Sequence, residues 1–184
     1  MRKFLDLIRD QKLKDVEKRK ERISENVLRE KVQNFDNLPK FKNQLLRKSK
    51  EEISLILEVK SKAPGRKNVD SLDPRKVVCD YEVGGAKAIS VLTDEHWFGG
   101  SLETLEKVHR NTSLPLLHKE FIITPYQLLE GRVRGASAAL ILAYYFQTLE
   151  LSKIINEAKK IGLEAVVECS VEDELQRVIK LNPD

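Results

Sequence analysis

Four charged side chains stand at the ends of apolar, strand-like runs of this sequence. Glu58 and Lys60 end the first run, Lys119 ends the second, and Glu168 ends the third. A buried strand should be apolar throughout, because a charge taken out of water is costly even after relaxation. Ligands bind at the carboxyl ends of strands in parallel α/β folds, so these four positions predict the active site of an enzyme.

The residue types suit acid–base chemistry. Glu58 and Lys60 are two positions apart, which places them on one face of a strand about 6.6 Å apart. Lys119 and Glu168 are expected to converge on the same mouth. A lysine that is desolvated or lies beside another cation can act as a general acid, whereas the pKa of a glutamate in an apolar setting rises. A structural ion-pair network at the rim is the alternative interpretation.

Strands and helices alternate from residue 53 onward, at a repeat of about 25–30 residues that is typical of βα units in a parallel sheet. The predicted strands are 53–60, 88–92, 114–119, 138–143 and 165–169. Helix starts are indicated by Asp73-Pro74, Ser101, Thr124-Pro125 and Ser170, and helix ends by Gly84-Gly85, Gly135 and Gly162. The pattern predicts an α/β fold with helices on both faces of the sheet.

Residues 1–50 form a separate compositional zone. Phe4, Leu5, Ile8, Leu13 and Val16 recur at helical spacing, which predicts a helical segment over 1–50 ahead of the α/β domain over 51–184. The basic stretch that follows this stripe is interleaved with acids. It therefore favours a solvated helix face with paired charges over a nucleic-acid arm.

Net charge, cysteine and histidine spacing, and hydropathy limit the classes of function that this chain can have. The net charge of +4 fits an anionic small molecule as well as nucleic acid. Cys79 and Cys169 lack CxxC or Cys/His neighbours, which indicates reduced thiols in a cytoplasmic protein. The histidines lack metal-ligand spacing, so we assign no metal. No apolar run reaches the ~20 residues that a transmembrane helix needs, and no signal peptide is evident.

Some aromatic and histidine positions are weaker signals. Trp97 and Phe98, beside two glycines, are compatible with closing over an aromatic substrate and equally with a loop that packs on the rim. Phe121, two residues past Lys119, is a second candidate for lining a pocket. His118 precedes Lys119 in its strand and is expected to face the opposite side, toward the helices.

Four runs of this chain, LILEVKSKAP, AISVLTDEHWFGGS, LPLLHKEFIITPYQ and VVECSVEDEL, resemble indole-3-glycerol-phosphate synthase, a family of tryptophan biosynthesis. The resemblance covers essentially the whole chain, including the N-terminal helical extension. It implies a (β/α)8 TIM-barrel fold, here with about five βα units. It also implies a carboxy-lyase without a cofactor that closes the ring of 1-(2-carboxyphenylamino)-1-deoxyribulose 5-phosphate with loss of CO2 and water, giving indole-3-glycerol phosphate.

The resemblance also implies residue roles. Lys119 corresponds to the general acid on the substrate carbonyl, Glu168 to an acid–base group in the dehydration, and Glu58 to a second essential carboxylate. The substrate-binding positions it implies are Lys60, Phe98, Phe121 and Pro64. The chain departs from the usual Ser-Pro-Ser at Ala63-Pro64-Gly65, where two hydroxyls are lost.

Length is the largest departure from the family. A whole barrel takes ~250 residues and eight strands, whereas this chain has 184 residues and five predicted strands. We therefore expect the chain alone to be weakly active or inactive, for want of the phosphate-binding loops after strands seven and eight. Self-association or a complementary C-terminal fragment would supply the strands that a complete barrel requires. The alternatives are a short paralogue that serves as a binding or assembly module, and another phosphosugar barrel enzyme.

Overall fold

The computed structural model describes residues 2–35, 37–47, 49–50, 53–61 and 73–183. Strands and helices alternate from the first strand onward, which confirms the predicted α/β class. The helices are α1 (Arg2–Arg22), α2 (Glu25–Gln33), α3 (Phe41–Leu45), α4 (Pro74–Val83), α5 (Leu102–His109), α6 (Pro125–Arg132), α7 (Thr148–Lys160) and α8 (Glu172–Leu181). The strands are β1 (Leu55–Val59), β2 (Ala86–Leu92), β3 (Leu116–Lys119), β4 (Ala138–Leu142) and β5 (Glu164–Glu168).

The strands form one parallel sheet in the chain order β1-β2-β3-β4-β5. Ser90 lies beside Glu58 on one side and beside Leu117 on the other, and Leu92 lies beside Lys119. Because side chains alternate across a strand, these five residues share one face of the sheet. The register thus brings the charged ends of β1 and β3 to the same face.

The opposite face of β3 carries His118, whose register partner is Val91. His118 is buried, as are the neighbouring side chains of this face. The prediction that His118 points away from the face of Lys119 is therefore confirmed.

Most helix boundaries agree with the local signals. The Asp73 side chain accepts a hydrogen bond from the N–H of Arg75 at 3.0 Å, and Ser101 accepts one from Thr104 at 3.1 Å. Gly135 has a φ of +94°, and a Cβ there would lie 2.1 Å from the His109 ring, so this turn requires glycine. The last helix begins later than predicted, with Val171 rather than Ser170 as its N-cap residue.

The chain groups into two compact units. Unit 1 comprises Met1–Asp36, Phe121–Val133 and Ala139–Asp184, and unit 2 comprises Asn37–Glu120 and Arg134–Ala138. The division into an extension over 1–50 and a barrel part over 51–184 stays a prediction. In the described part of the chain, no helix has the length and apolar character that crossing a membrane requires.

Unit 1 has a core formed by the N-terminal helices together with α6. Val16, Leu28, Tyr126 and Leu129 are buried together, and the Tyr126 hydroxyl donates to the carbonyl oxygen of Ile23 at 2.9 Å. Each such fully buried apolar side chain contributes about 1.5–3 kcal/mol. The apolar stripe predicted for the first helix is only partly buried, since Ile8 and Val16 are covered while Phe4 and Leu13 are exposed.

An ion pair joins α1 to α6 within unit 1. Arg19 Nε donates to Glu130 Oε1 at 2.8 Å and Arg19 Nη2 donates to Glu130 Oε2 at 3.1 Å. Glu130 is only 5% exposed, and the paired donors of Arg19 stabilise its buried carboxylate. Arg19 belongs to the basic stretch of the sequence, and its role here is structural.

Removing the buried partner of this pair should destabilise the fold. We expect Glu130→Ala to lower the free energy of unfolding by about 1–3 kcal/mol, because the two hydrogen bonds between Arg19 and a buried carboxylate are lost. Glu17→Ala is the matched control, since Glu17 is exposed and pairs with Lys20 of the same helix at 2.9 Å. Urea unfolding should place the control within about 0.5 kcal/mol of the unmodified chain. Equal effects of both changes would contradict this account.

Candidate active site

Three of the four predicted charged residues meet in unit 2. The Glu58 carboxylate accepts a hydrogen bond from Nζ of Lys119 through Oε2, and its Oε1 lies 3.0 Å from Nζ of Lys60. Glu58 lies within β1, Lys60 directly follows that strand, and Lys119 is the last residue of β3. The structure therefore places one carboxylate between two ammonium groups, at the carboxyl ends of two parallel strands.

The electrostatics at Glu58 differ from the prediction. Partial burial by itself raises the pKa of Glu58, but hydrogen bonds and charges from Lys119 and Lys60 outweigh it, and the net pKa is lowered from its ordinary value of 4.5. Burial therefore acts on the pKa of Glu58 in the expected direction, but the two lysines reverse the net shift. Glu58 is ionised at neutral pH, so it can hold and orient cations but has no proton to donate.

Tyr81 of α4 fixes the backbone at the end of β1. Its hydroxyl donates to the carbonyl oxygen of Glu58 at 2.7 Å. Burial, followed by the charge of Glu58, raises the pKa of Tyr81, so the hydroxyl stays protonated and remains a donor. A tyrosine on a helix gives no sequence signal of such a role, and sequence reasoning missed it.

The loop after β2 is built around a buried carboxylate that sequence reasoning also missed. Asp94 Oδ1 accepts from the backbone N–H groups of Trp97 at 2.7 Å and Phe98 at 2.9 Å. At Gly100 a Cβ would lie 2.1 Å from the carbonyl oxygen of Leu92, so the loop returns too close to the strand for any other residue. The position of Phe98, which is half-buried, is thus set by Asp94.

The remaining predicted site residues lie elsewhere in the chain. Glu168 is the last residue of β5 in unit 1, and its side chain is exposed. Phe121, also in unit 1, is half-buried, and its carbonyl oxygen accepts from Nε2 of Gln127 at 2.8 Å. Pro64, together with Ala63 and Gly65, falls outside the described residues. Among the described residues, no group of three or more His, Cys, Asp or Glu side chains is arranged to hold a metal ion.

Comparison with known proteins finds the same family by two routes, a family model and individual relatives. A family model described as indole-3-glycerol phosphate synthase matches residues 5–184. The indole-3-glycerol phosphate synthase of Campylobacter jejuni strain 81-176 is 35% identical over 182 residues, which cover 98% of this chain and 70% of the relative. That of Streptomyces griseus is 38% identical over 176 residues, covering 95% and 64%. Indole-3-glycerol phosphate synthase 1 of Streptomyces coelicolor is 41% identical over 128 residues, covering 69% and 48%.

The lowered pKa of Glu58 makes its contribution to stability pH-dependent. A group with a lowered folded-state pKa stabilises the fold above its ordinary pKa, and this stabilisation is lost as the pH falls through the folded value. At neutral pH we expect Glu58→Gln to be less stable than the unmodified chain by about 1 kcal/mol. That difference should shrink toward zero as the pH falls below 4.5, the ordinary value.

Denaturant unfolding of both proteins across this pH range measures the difference. Glu95→Gln, at an exposed position in the loop after β2, is the control and should show little difference at any pH. A stability difference between the unmodified chain and Glu58→Gln that grows toward acid pH would contradict the assigned direction of the shift.

Asp94 should control the conformation of the loop that carries Phe98. We expect Asp94→Ala to destabilise the chain by about 1–3 kcal/mol, because two backbone N–H groups lose their acceptor. The emission of Trp97, which is the single tryptophan, should shift to longer wavelength as the loop opens to water. Glu95→Ala, which removes the adjacent exposed carboxylate, should leave both the emission and the stability unchanged. Unchanged emission in Asp94→Ala would rule out this role.

Proposed function

This chain belongs to the indole-3-glycerol phosphate synthase family, and we propose that Lys119, Glu58 and Lys60 form the acid–base centre of its reaction. The family has the TIM-barrel fold and catalyses a carboxy-lyase reaction of tryptophan biosynthesis. The observation that carries the proposal is the ionised Glu58 between two ammonium groups at the carboxyl ends of β1 and β3. That end of a parallel strand is where barrel enzymes place their chemistry.

The reaction needs a proton donor at its first step. In 1-(2-carboxyphenylamino)-1-deoxyribulose 5-phosphate, the ring carbon that bears the carboxylate attacks the ketone carbon, and Lys119 transfers a proton to the ketone oxygen. The new C–C bond leaves an iminium on the ring nitrogen. Loss of CO2 returns the electrons of the C–CO2 bond to the ring and restores its aromaticity. Departure of the new hydroxyl as water, with loss of a proton from the adjacent CH2, then gives indole-3-glycerol phosphate.

Glu58 keeps the centre ready for this first step. Because its pKa is lowered, Glu58 remains a carboxylate, and it holds the side chain of Lys119 by accepting a hydrogen bond from Nζ. Lys60 binds an anionic group of the substrate. Within the group of Glu58, Lys60 and Lys119, two ammonium groups face one carboxylate, and this local excess of positive charge attracts a substrate that carries a carboxylate and a phosphate.

The other predicted residues complete the proposal. Glu168 exchanges protons during the dehydration, and its exposed position at the end of β5 leaves it accessible to a substrate. Phe98 lines the pocket of the anthranilate ring, supported by the Asp94-braced loop that carries it. By resemblance to the family, Phe121 and Pro64 are further substrate-binding residues.

Further protein covers the apolar surface of this chain in the active species. Leu55 and Ile56 of β1 are 40% and 43% exposed, and Leu175 and Ile179 of α8 are also exposed. Exposed apolar strand and helix faces favour association. The covering protein is a second copy of this chain or a polypeptide with the remaining length of its relatives. We further propose a cytoplasmic location, in keeping with the two free cysteines.

Lys119 provides the direct test of this function. We expect the chain, alone or mixed with a polypeptide that supplies the remaining length of its relatives, to convert the carboxyphenylamino-deoxyribulose phosphate to a fluorescent indole product. Lys119→Met should reduce kcat roughly 100-fold or more, because general acid catalysis contributes about that much. Lys153→Ala, at an exposed position of α7, is the matched control and should retain full activity.

Two results would contradict the proposed function. One is a folded chain that forms no indole product in either sample. The other is a Lys119→Met protein as active as the Lys153→Ala control.

A further inference from the structure

Thr93 follows the last residue of β2 and contacts three consecutive residues at the end of β3. We propose that Thr93 is a positioning residue, which fixes the backbone of Lys119 and thereby the direction of its side chain. This inference rests on the proposed function, in which Lys119 donates the proton. It assigns a role in the reaction to a residue that acts through Lys119.

The three contacts involve both the backbone and the side chain of Thr93. Its backbone N–H donates to the carbonyl oxygen of Lys119 at 3.1 Å. Its Oγ1 lies 2.9 Å from Nε2 of His118, and a longer contact of 3.4 Å joins it to Oε2 of Glu120. Thr93 therefore holds Lys119 itself and the residues on both sides of it.

Burial increases the cost of losing these hydrogen bonds. Thr93, His118 and Glu120 are all buried, with exposed fractions of 2%, 1% and 8%. Water cannot readily replace a hydrogen bond lost at such a site, and hydrogen bonds in a dry environment are strong. Removing the Thr93 hydroxyl therefore allows the end of β3 to rearrange.

The chemistry of the groups sets the direction of each hydrogen bond. A carboxylate only accepts, and the hydroxyl has a single proton to donate. The Thr93 hydroxyl therefore donates to Glu120, and His118 donates to Thr93 from Nε2. This order requires a proton on Nε2 of His118.

The position of the β3 backbone matters because Lys119 acts through a long side chain. The last register pair between β2 and β3 is Leu92 with Lys119, so Thr93 extends the ladder by one bond where regular pairing ends. A small rotation of the backbone at Lys119 is amplified along the flexible stem of the side chain and displaces its ammonium. A displacement of about 1 Å at a reacting group can cost roughly 100-fold in rate.

Two substitutions separate positioning from simple stabilisation. Thr93→Val keeps the shape of the side chain and removes the hydroxyl, whereas Thr93→Ser retains the hydroxyl. In the sample in which the unmodified chain forms product, we expect Thr93→Val to lower kcat roughly tenfold or more, with KM changed less than about twofold. Thr93→Ser should keep most of kcat. Thr148→Val, at an exposed position of α7, is the matched control and should be fully active.

A double substitution tests whether Thr93 acts through Lys119. In a Lys119→Met background, Thr93→Val should lower kcat no further, because the group it positions is already absent. The proposal is overturned by an equal loss in both backgrounds, by a folded Thr93→Val protein with full kcat, or by a Thr93→Ser protein as slow as Thr93→Val.

Nuclear magnetic resonance tests the contacts without requiring activity. In the unmodified chain, the ¹⁵N spectrum of His118 should show a proton on Nε2, and a proton on Nδ1 alone would overturn the proposal even if Thr93→Val did not fold. The ¹³Cε resonance of Lys119 should move in Thr93→Val and remain in place in Thr93→Ser. A moved Lys119 resonance in a chain without activity supports the positioning role and refutes the proposed function. An unmoved resonance in an active chain refutes the positioning role alone.

Discussion

A single carboxylate between two ammonium groups is the arrangement on which the candidate site depends. The Glu58 carboxylate lies between Nζ of Lys60 and Nζ of Lys119 and offsets the repulsion between these two groups at the end of the sheet. Partial burial opposes the charge on Glu58, yet its pKa is lowered, so the ion pairs outweigh the loss of hydration. Within the group of Glu58, Lys60 and Lys119, two ammonium groups face one carboxylate, and this excess of positive charge suits an anionic substrate.

Contacts to backbone atoms hold this arrangement together. The parallel register brings the ends of β1 and β3 to one face, and Tyr81 binds the carbonyl oxygen of Glu58. Thr93 binds the carbonyl oxygen of Lys119, and Asp94 binds two backbone N–H groups of the neighbouring loop. These contacts fix the backbone positions from which the charged side chains extend. The fold therefore places the acid–base groups before substrate binds.

The charged residues of the site are easier to predict from the sequence than the residues that hold them in position. A charge that ends an apolar run is conspicuous, so the grouping of Glu58, Lys60 and Lys119 can be predicted from the sequence. Cap residues such as Asp73 predict most of the helix starts, although the last helix begins after Val171 rather than Ser170. Tyr81 and Thr93 are ordinary residues in their local context, and only the packing of distant segments gives them partners. The direction of the Glu58 pKa shift cannot be predicted from spacing, because it depends on a balance between burial and two ion pairs.

Direct titration of Glu58 tests the central claim most simply. The ¹³Cδ resonance of Glu58, followed with pH, should give a pKa below the ordinary value of 4.5 in the unmodified chain. That pKa should rise in Lys119→Met, because the hydrogen bond and charge of Lys119 are then lost. A Glu58 pKa at or above its ordinary value, or one that does not respond to the loss of Lys119, would contradict the account.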